Sequence, residues 1–340
     1  MNPLFDLPQM SLDKKIRLIT TFSGIGAQEM AMKAIGADFE IYKAVEFDRF
    51  AINSYNAVHG TSFPVLDICN VHAGNFEIVD KEHYNYIFVY SFPCQALSVA
   101  GKMGGMKENS GTTSSLLWEI KRILSEFSED ELPDVLLMEN VPQVHSEKNM
   151  PDFNRWIDFL RSRGYVNYYQ DLNARDFGIP QNRERCFMVS VLSDKFIDFE
   201  FPKPIKLDRV MKDFLESEVD ERYYINNEKA EKLIEQLVEN GTLKDNKRCV
   251  DLSVKNPKEI EVANCICART DRGISNIQSE GSGVVEFVGN IQRDVPQGYS
   301  GSVYKTSGIS PCCLARDYKD PILVVDKYKS DGSGVLEIDT

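Results

Sequence analysis

Along residues 1–195, short apolar runs rich in β-branched side chains alternate with stretches whose apolar positions recur at helical spacing. Residues 16–22, Ile-Arg-Leu-Ile-Thr-Thr-Phe, read as a buried strand entering a glycine-containing turn, and 27–35 as a helix stopped by Gly36. A strand over 41–45 and a helix over 49–58 repeat the unit. Further apolar strands fall at 86–90 and 135–138, with a helix over 116–127 between them. A helix over 152–163 leads to strands over 165–172 and 185–191. Strands alternating with helices of about 10–15 residues predict an α/β domain on a parallel or mostly parallel sheet. Ligands of such sheets bind beyond the carboxyl ends of the strands.

The pattern changes near 199–206, where Phe201-Pro202-Lys203-Pro204 reads as a linker. Charged, helix-prone residues follow to Leu243, then short strand-like pieces rich in Gly, Ser, Asn and Asp. Residues 1–195 are therefore expected to form the main domain and 196–340 a smaller, irregular one. Lys and Arg number 39 against 52 Asp and Glu, a net charge of −13. Part of this excess is expected on solvent-facing helices over 125–131 and 228–239. Nucleic-acid binders are usually basic, but binding depends on the local patch, so the balance neither supports nor excludes DNA. No apolar run approaches the roughly 18 residues that cross a bilayer, and no signal-peptide layout opens the chain, so a cytoplasmic protein is expected. Cys69, Cys94, Cys186, Cys249, Cys265, Cys267, Cys312 and Cys313 show no C-x-x-C spacing. A disulfide framework is not expected, and most of these thiols read as small buried hydrophobes. Cys265-Ile266-Cys267 and Cys312-Cys313 are weak half-sites for a metal, since structural zinc favours two-residue spacers and His partners.

Chemistry gathers at the expected strand ends. Phe22-Ser23-Gly24-Ile25-Gly26 lets a backbone approach a ligand and frees a helix N-terminus; alone it is equally a tight turn. Glu46, about 20 residues on, sits where an acidic side chain binds ribose hydroxyls. No phosphate-cradling Lys is present, which argues against ATP. Asp67 is a third such candidate, or a helix cap. Cys94, in Ser91-Phe92-Pro93-Cys94-Gln95, is placed to be an exposed nucleophile, although a lone Cys is commonly structural. Glu139, in Met138-Glu139-Asn140-Val141-Pro142, can hydrogen-bond a ring nitrogen or cap the next helix. Arg183 and Arg185 alternate on an extended segment after Gln181 and so point the same way. They suit a phosphate or base, or surface ion pairs.

Taken together and in this order, the turn 22–26, Glu46, Asp67-Ile68, Pro93-Cys94-Gln95, Leu116, Glu139-Asn140-Val141 and Gln181-x-Arg183-x-Arg185 resemble the DNA cytosine-C5 methyltransferases, over residues 16–191. The resemblance implies a Rossmann-like S-adenosylmethionine-dependent fold and a flipped target cytosine. It implies a nucleophile, Cys94, that adds to carbon 6 while Glu139 engages N3, with Arg183 and Arg185 holding the base. Phe22, Gly24, Gly26, Glu46, Asp67, Ile68, Pro93 and Leu116 would bind the cofactor. Gln95, Asn140, Gln181, Arg269 and Arg316 would meet double-stranded DNA, with Arg272, Arg293, Lys305 and Lys319 as further contacts. The stretch 97–107, with Gly101, Gly104 and Gly105, resembles the loop that closes over DNA. No metal is needed. Residues 196–340 would recognise the target sequence.

The family's closing Arg-x-Leu-Thr-x-Arg-Glu-like helix and Asn-containing segment are not found before Thr340. Truncation, a complementing chain and a differently closed pocket all remain open. This keeps a second reading alongside the enzyme: a DNA-binding or regulatory member of the same fold with impaired or partner-dependent catalysis. The tRNA-methylating branch carries Cys-Phe-Thr, whereas the only Cys-Phe here is Cys186-Phe187-Met188. Restriction–modification, phage self-protection and solitary regulation are all compatible settings.

Overall fold

The computed structural model describes residues 14–97, 104–193, 199–215, 249–251 and 258–264, and the backbone alone of 248, 282–290 and 302–307. The chain divides into two units, Met1–Leu172 with Glu184–Lys203, and Asn173–Arg183 with Pro204–Thr340. The division thus falls inside the proline-containing run 201–204, while the segment before β6 joins the second unit.

The first unit is built on strands β1 (Lys15–Thr21), β2 (Phe39–Val45), β3 (Tyr84–Tyr90), β4 (Val135–Asn140), β5 (Tyr165–Asn173) and β6 (Glu184–Leu192). Their order across the sheet is β2-β1-β3-β4-β6-β5. β1 runs parallel to β2 and β3, and β3 to β4, whereas β6 runs antiparallel to β4. Helices α1 (Ala27–Ala34), α2 (Arg49–His59), α3 (Leu117–Glu126) and α4 (Met150–Ser162) connect them. The chain leaves β1 toward β2 and returns past it to β3, so the strand order reverses there and opens a crevice at the carboxyl ends.

Sequence pattern accounts for the elements. Tyr86, Phe88 and Tyr90 alternate along β3, and Leu136 and Met138 along β4; they join Leu117, Ile120, Ile123 and Leu124 of α3 and Phe153, Trp156, Ile157 and Leu160 of α4 in one core. The α3 set recurs at helical spacing, and the helix exposes its remaining face. Asp48 caps α2 by accepting from Phe50 N and Ala51 N at 2.7 and 3.3 Å. Ile52 and Tyr55 of that helix pack on Ala44.

One expected element differs. Residues 125–131 are not a solvent-facing helix: α3 ends at Glu126, and a separate 3-10 turn covers Glu129–Glu131. Phe127 and Leu132 are both buried, which requires a break between them, and Ser128 with Glu131 forms a capping box in the gap. The expected helix over 228–239 lies outside the described residues.

The second unit contains a four-stranded sheet of order β10-β9-β7-β8: β7 (Arg248–Asp251), β8 (Lys258–Glu259), β9 (Ser282–Asn290) and β10 (Ser302–Ser307). Its pairings are antiparallel. Residues 180–182 pair with Ala263, through Asn182 N to the Ala263 carbonyl and Ala263 N to the Pro180 carbonyl, both 2.8 Å. No helix among the described residues is long and apolar enough to cross a membrane.

The core holds a testable polar pair. The Trp156 indole N–H donates to the Tyr90 hydroxyl at 3.1 Å, with both side chains fully buried. Burial also keeps the Tyr90 hydroxyl protonated far above its usual range. Tyr90→Phe removes the indole's hydrogen-bond partner while preserving shape, and is expected to cost about 1–3 kcal/mol, the penalty of an unsatisfied buried donor. The shift of the urea unfolding midpoint at constant slope measures it.

Candidate active site

Because β1 to β4 are mutually parallel, their carboxyl ends share one edge of the sheet; because β6 runs the other way, its first residues reach that same edge. The turn 22–26 follows β1, Glu46 follows β2, Cys94 lies four residues beyond β3, Glu139 and Asn140 end β4, and Arg185 is second in β6.

The turn after β1 is held in a strained form. Phe22, Gly24 and Gly26 all have positive φ, of 55°, 56° and 82°, and Phe22 is the costly one because it carries a side chain. Ser23 supports it, donating to the Thr20 carbonyl at 3.0 Å. Glu46 braces it from β2: its carboxylate accepts from Gly24 N and from Asp48 N, each at 2.9 Å. The two glycines differ. A Cβ at Gly26 would lie 2.1 Å from the His59 ring, whereas one at Gly24 would meet nothing within 4 Å. Gly26 therefore serves packing, and Gly24 borders open space. Gly26 is also the N-cap of α1, which receives no side-chain cap, so its first amides are not capped from within. Below the turn, Glu29 is fully buried and accepts from the hydroxyls of Thr20 and Tyr55 at 2.9 and 2.6 Å.

Asp67 accepts from Cys69 N at 2.9 Å and caps the 3-10 turn Ile68–Asn70, the plainer of its two expected roles. Ile68 is in the core. Leu116 is half-buried and ends the 3-10 turn Thr113–Leu116 before α3.

The segment carrying Cys94 is held by backbone contacts from two sides. The Asn140 side-chain amide donates to the Phe92 carbonyl at 2.9 Å, and its oxygen accepts from Val141 N at 2.9 Å. Ser114 donates to the Pro93 carbonyl at 2.6 Å and accepts from Ala96 N at 3.3 Å. Asn140 and Ser114 are buried, while Cys94 is half-buried and Gln95 exposed. Asn140, expected at the DNA, is instead enclosed with its amide committed to this loop. Of the stretch 97–107, residues 98–103, Gly101 among them, lie outside the described residues. Its far end is fixed by Gly105 N to the Ala96 carbonyl at 3.0 Å and Trp118 Nε1 to the Met106 carbonyl at 2.7 Å.

Arg185 Nε lies 3.1 Å from Glu139 Oε1, with both side chains largely covered. A pair this sheltered is screened less than a surface pair and holds the Glu139 carboxylate in one orientation. Arg183 belongs to the second unit. There the segment Asn173–Arg183 closes on itself: Asn173 Oδ1 accepts from Arg183 N at 3.1 Å, and the Arg183 carbonyl accepts from Ala174 N at 2.9 Å. Gln181, Arg183 and Arg185 are half-buried and the residues between them exposed, the alternation of an extended segment. Arg269, Arg272, Arg293, Arg316 and Lys319, the side chain of Lys305, and the Cys265-x-Cys267 and Cys312-Cys313 pairs lie outside the described residues.

Two features escaped the sequence. Ser114 stands among several hydroxyl residues before α3, and only the fold brings it to the Pro93 carbonyl. Phe47, directly after Glu46, is 70% exposed; an aromatic next to the acidic strand end was its signal, and a bare ring there offers a stacking face.

A family model described as C-5 cytosine-specific DNA methylase matches residues 16–305. The type II methyltransferase M2.ScrFI of Lactococcus lactis subsp. cremoris is 48% identical over 140 residues, 41% of this chain and 38% of that protein. The orphan methyltransferase M.SssI of Spiroplasma monobiae is 34% identical over 268 residues, 63% of this chain and 68% of that protein. The chain thus spans well under two thirds of the first of these relatives. Among solved structures, the Entamoeba histolytica methyltransferase EhMeth superposes with a TM-score of 0.56 at 16% identity, covering 91% of this chain and 82% of that one. The S. pombe Dnmt2 methyltransferase gives 0.50 at 24% identity, covering 63% and 65%. These likenesses show the fold, a Rossmann-like α/β sheet.

The brace on the Cys94 loop gives a prediction. Asn140→Leu strips the Phe92 carbonyl of its buried donor and is expected to cost about 1–3 kcal/mol. Ser114→Ala leaves both the Pro93 carbonyl and Ala96 N without that partner and is expected to cost a similar amount, about 1–3 kcal/mol. Both variants are expected to accelerate alkylation of Cys94 by iodoacetamide, read by peptide mass spectrometry, by loosening the loop. Unchanged alkylation in both would show that the loop is held by other contacts.

Proposed function

This chain belongs to the C-5 cytosine-specific DNA methylase family, and we propose that it transfers a methyl group from S-adenosylmethionine to carbon 5 of cytosine in duplex DNA. The observation that carries the reading is the shared sheet edge, where a half-buried Cys94 on a doubly braced loop adjoins the strand that ends in Glu139, itself paired with Arg185 of β6.

The residues present fit the cofactor. Gly24 borders open space, so a ligand can approach its bare backbone closely. The Glu46 oxygens retain lone pairs beyond their two backbone bonds, suited to ribose hydroxyls. Phe47 offers a face for an adenine ring. When bound, S-adenosylmethionine supplies an electrophilic methyl group.

In the proposed reaction the target cytosine leaves the duplex, and the Cys94 thiolate forms a bond to ring carbon 6. The displaced ring electrons are accommodated at N3, where Glu139 holds a hydrogen bond or proton, and carbon 5 becomes nucleophilic. After methylation, carbon 5 gives up its proton and the sulfur–carbon bond breaks, returning its electrons to Cys94. Arg185 orients Glu139 through their ion pair, and Arg183 is assigned to the flipped base. Residues 196–340 are assigned to recognition of the target sequence, with Arg269 and Arg316 among the DNA contacts.

Two variants separate chemistry from cofactor binding. Cys94→Ala is expected to abolish transfer of labelled methyl groups to unmethylated duplex DNA while leaving cofactor affinity within about twofold. Gly24→Ala is expected to keep the fold, since the strain at positive φ costs only about 1–2 kcal/mol, yet to weaken cofactor binding at least about tenfold. Transfer that persists in Cys94→Ala would remove the proposed nucleophile. Absence of both transfer and cofactor binding in the unaltered chain would favour a purely DNA-binding role.

A further inference from the structure

Behind the Glu139–Arg185 pair, one residue along each strand, lies a cluster that methyl transfer does not use. Cys186 pairs in register with Asn140 and is fully buried. His145 ends the 3-10 turn Pro142–His145, and its Nε2 lies 2.9 and 3.0 Å from the two carboxylate oxygens of Asp171 on β5. Potential ligand atoms of all three residues lie within 4.8 Å of one another. The plain reading is a His–Asp ion pair beside a core thiol.

We propose that His145, Asp171 and Cys186 form a site for one divalent cation of the zinc class, separate from the residues of methyl transfer. The donor set is one imidazole nitrogen, one carboxylate oxygen and one sulfur, a combination zinc takes at about 2.0–2.3 Å per ligand. Tetrahedral ligands at that distance stand about 3.3–3.8 Å apart, so small side-chain rotations close the cluster around an ion. Thiolate and carboxylate together neutralise a dication. Each ligand comes from a different element, which gives the ion three elements to tie together and leaves a fourth position for water. His145 and Asp171 are 25% and 28% exposed, so an ion can enter from solvent. Ring contacts of His145 with Tyr169 and Phe153, at centroid distances of 5.7 and 6.2 Å, restrict the imidazole. Burial, with Asp171 beside it, pushes the Cys186 thiol up to about 12. Metal binding must therefore expel that proton and weakens as pH falls.

The test uses the full-length chain stripped of metal and titrated with cobalt(II), then zinc(II). One equivalent of cobalt is expected to raise a thiolate-to-cobalt charge-transfer band, with release of about one proton at pH 8 and loss of the band when zinc displaces it. The band should survive in Cys94→Ser and vanish in Cys186→Ser. His145→Gln and Asp171→Asn should weaken binding at least about tenfold, the lower end of the cost of losing even an outer-shell partner. No band in the unaltered chain overturns the proposal. So does a band of unchanged intensity in Cys186→Ser, which places the metal on other thiols. Should Cys186→Ser not fold, unchanged affinity in both His145→Gln and Asp171→Asn overturns it equally.

Discussion

The pairing of β6 against β4 sets the chemistry of the sheet edge. Its register puts Glu139 opposite Phe187 and Asn140 opposite Cys186, so Arg185 falls just beyond the end of β4, within reach of Glu139. Side chains alternate across a strand, and a slip by one residue would send Arg185 to the opposite face and bring Cys186 to the edge in its place. The slip is opposed by the core, because Cys186 and Met188 pack with Trp156 and Leu136 behind the sheet. Burying side chains of this size contributes about 1.5–3 kcal/mol each, more than the partly screened Glu139–Arg185 pair returns. Packing therefore fixes the register, and the ion pair is its consequence.

The same logic separates the two halves of the edge. At β4, adjacent residues face opposite ways: Glu139 looks to the site and Asn140 into the protein, where it grips the Phe92 carbonyl. One strand end thus supplies both a carboxylate at the sheet edge and the brace on the loop that carries Cys94. At β1, strain replaces bracing. A run of positive-φ residues is held by Ser23 and Glu46, and such strain persists only where its surroundings over-determine it. Both lie at the carboxyl-end edge of the parallel strands, which gathers side chains from elements distant in sequence along one side of the sheet.

Much of this was legible in the sequence. Alternating apolar runs located each described strand and α-helix of the first unit, and the glycine turn, Glu46, Cys94 and Glu139 were each read at a strand end. The antiparallel return of β6 was not legible, because an apolar run such as Arg185 to Val191 carries no mark of direction. Nor was the inward turn of Asn140: beside Glu139 it reads as a second functional group, and only pairing with β6 assigns it to the interior. Asp67 offered two readings in sequence, a ligand contact or a cap, and the structure displays the cap. Residues 125–131 misled because a run of acidic helix formers outweighed two apolar positions, Phe127 and Leu132, whose burial breaks the helix.

The central claim is that the fold presents Cys94 as a nucleophile to a cytosine ring. Incubation of the intact chain with S-adenosylmethionine and duplex DNA containing 5-fluorocytosine tests it most directly, since fluorine on carbon 5 blocks the elimination that frees the enzyme. A covalent protein–DNA complex that survives denaturant and whose peptide mass places the bond on Cys94 is the predicted result. Absence of a complex although the cofactor binds, or an adduct that still forms in Cys94→Ala, would contradict it.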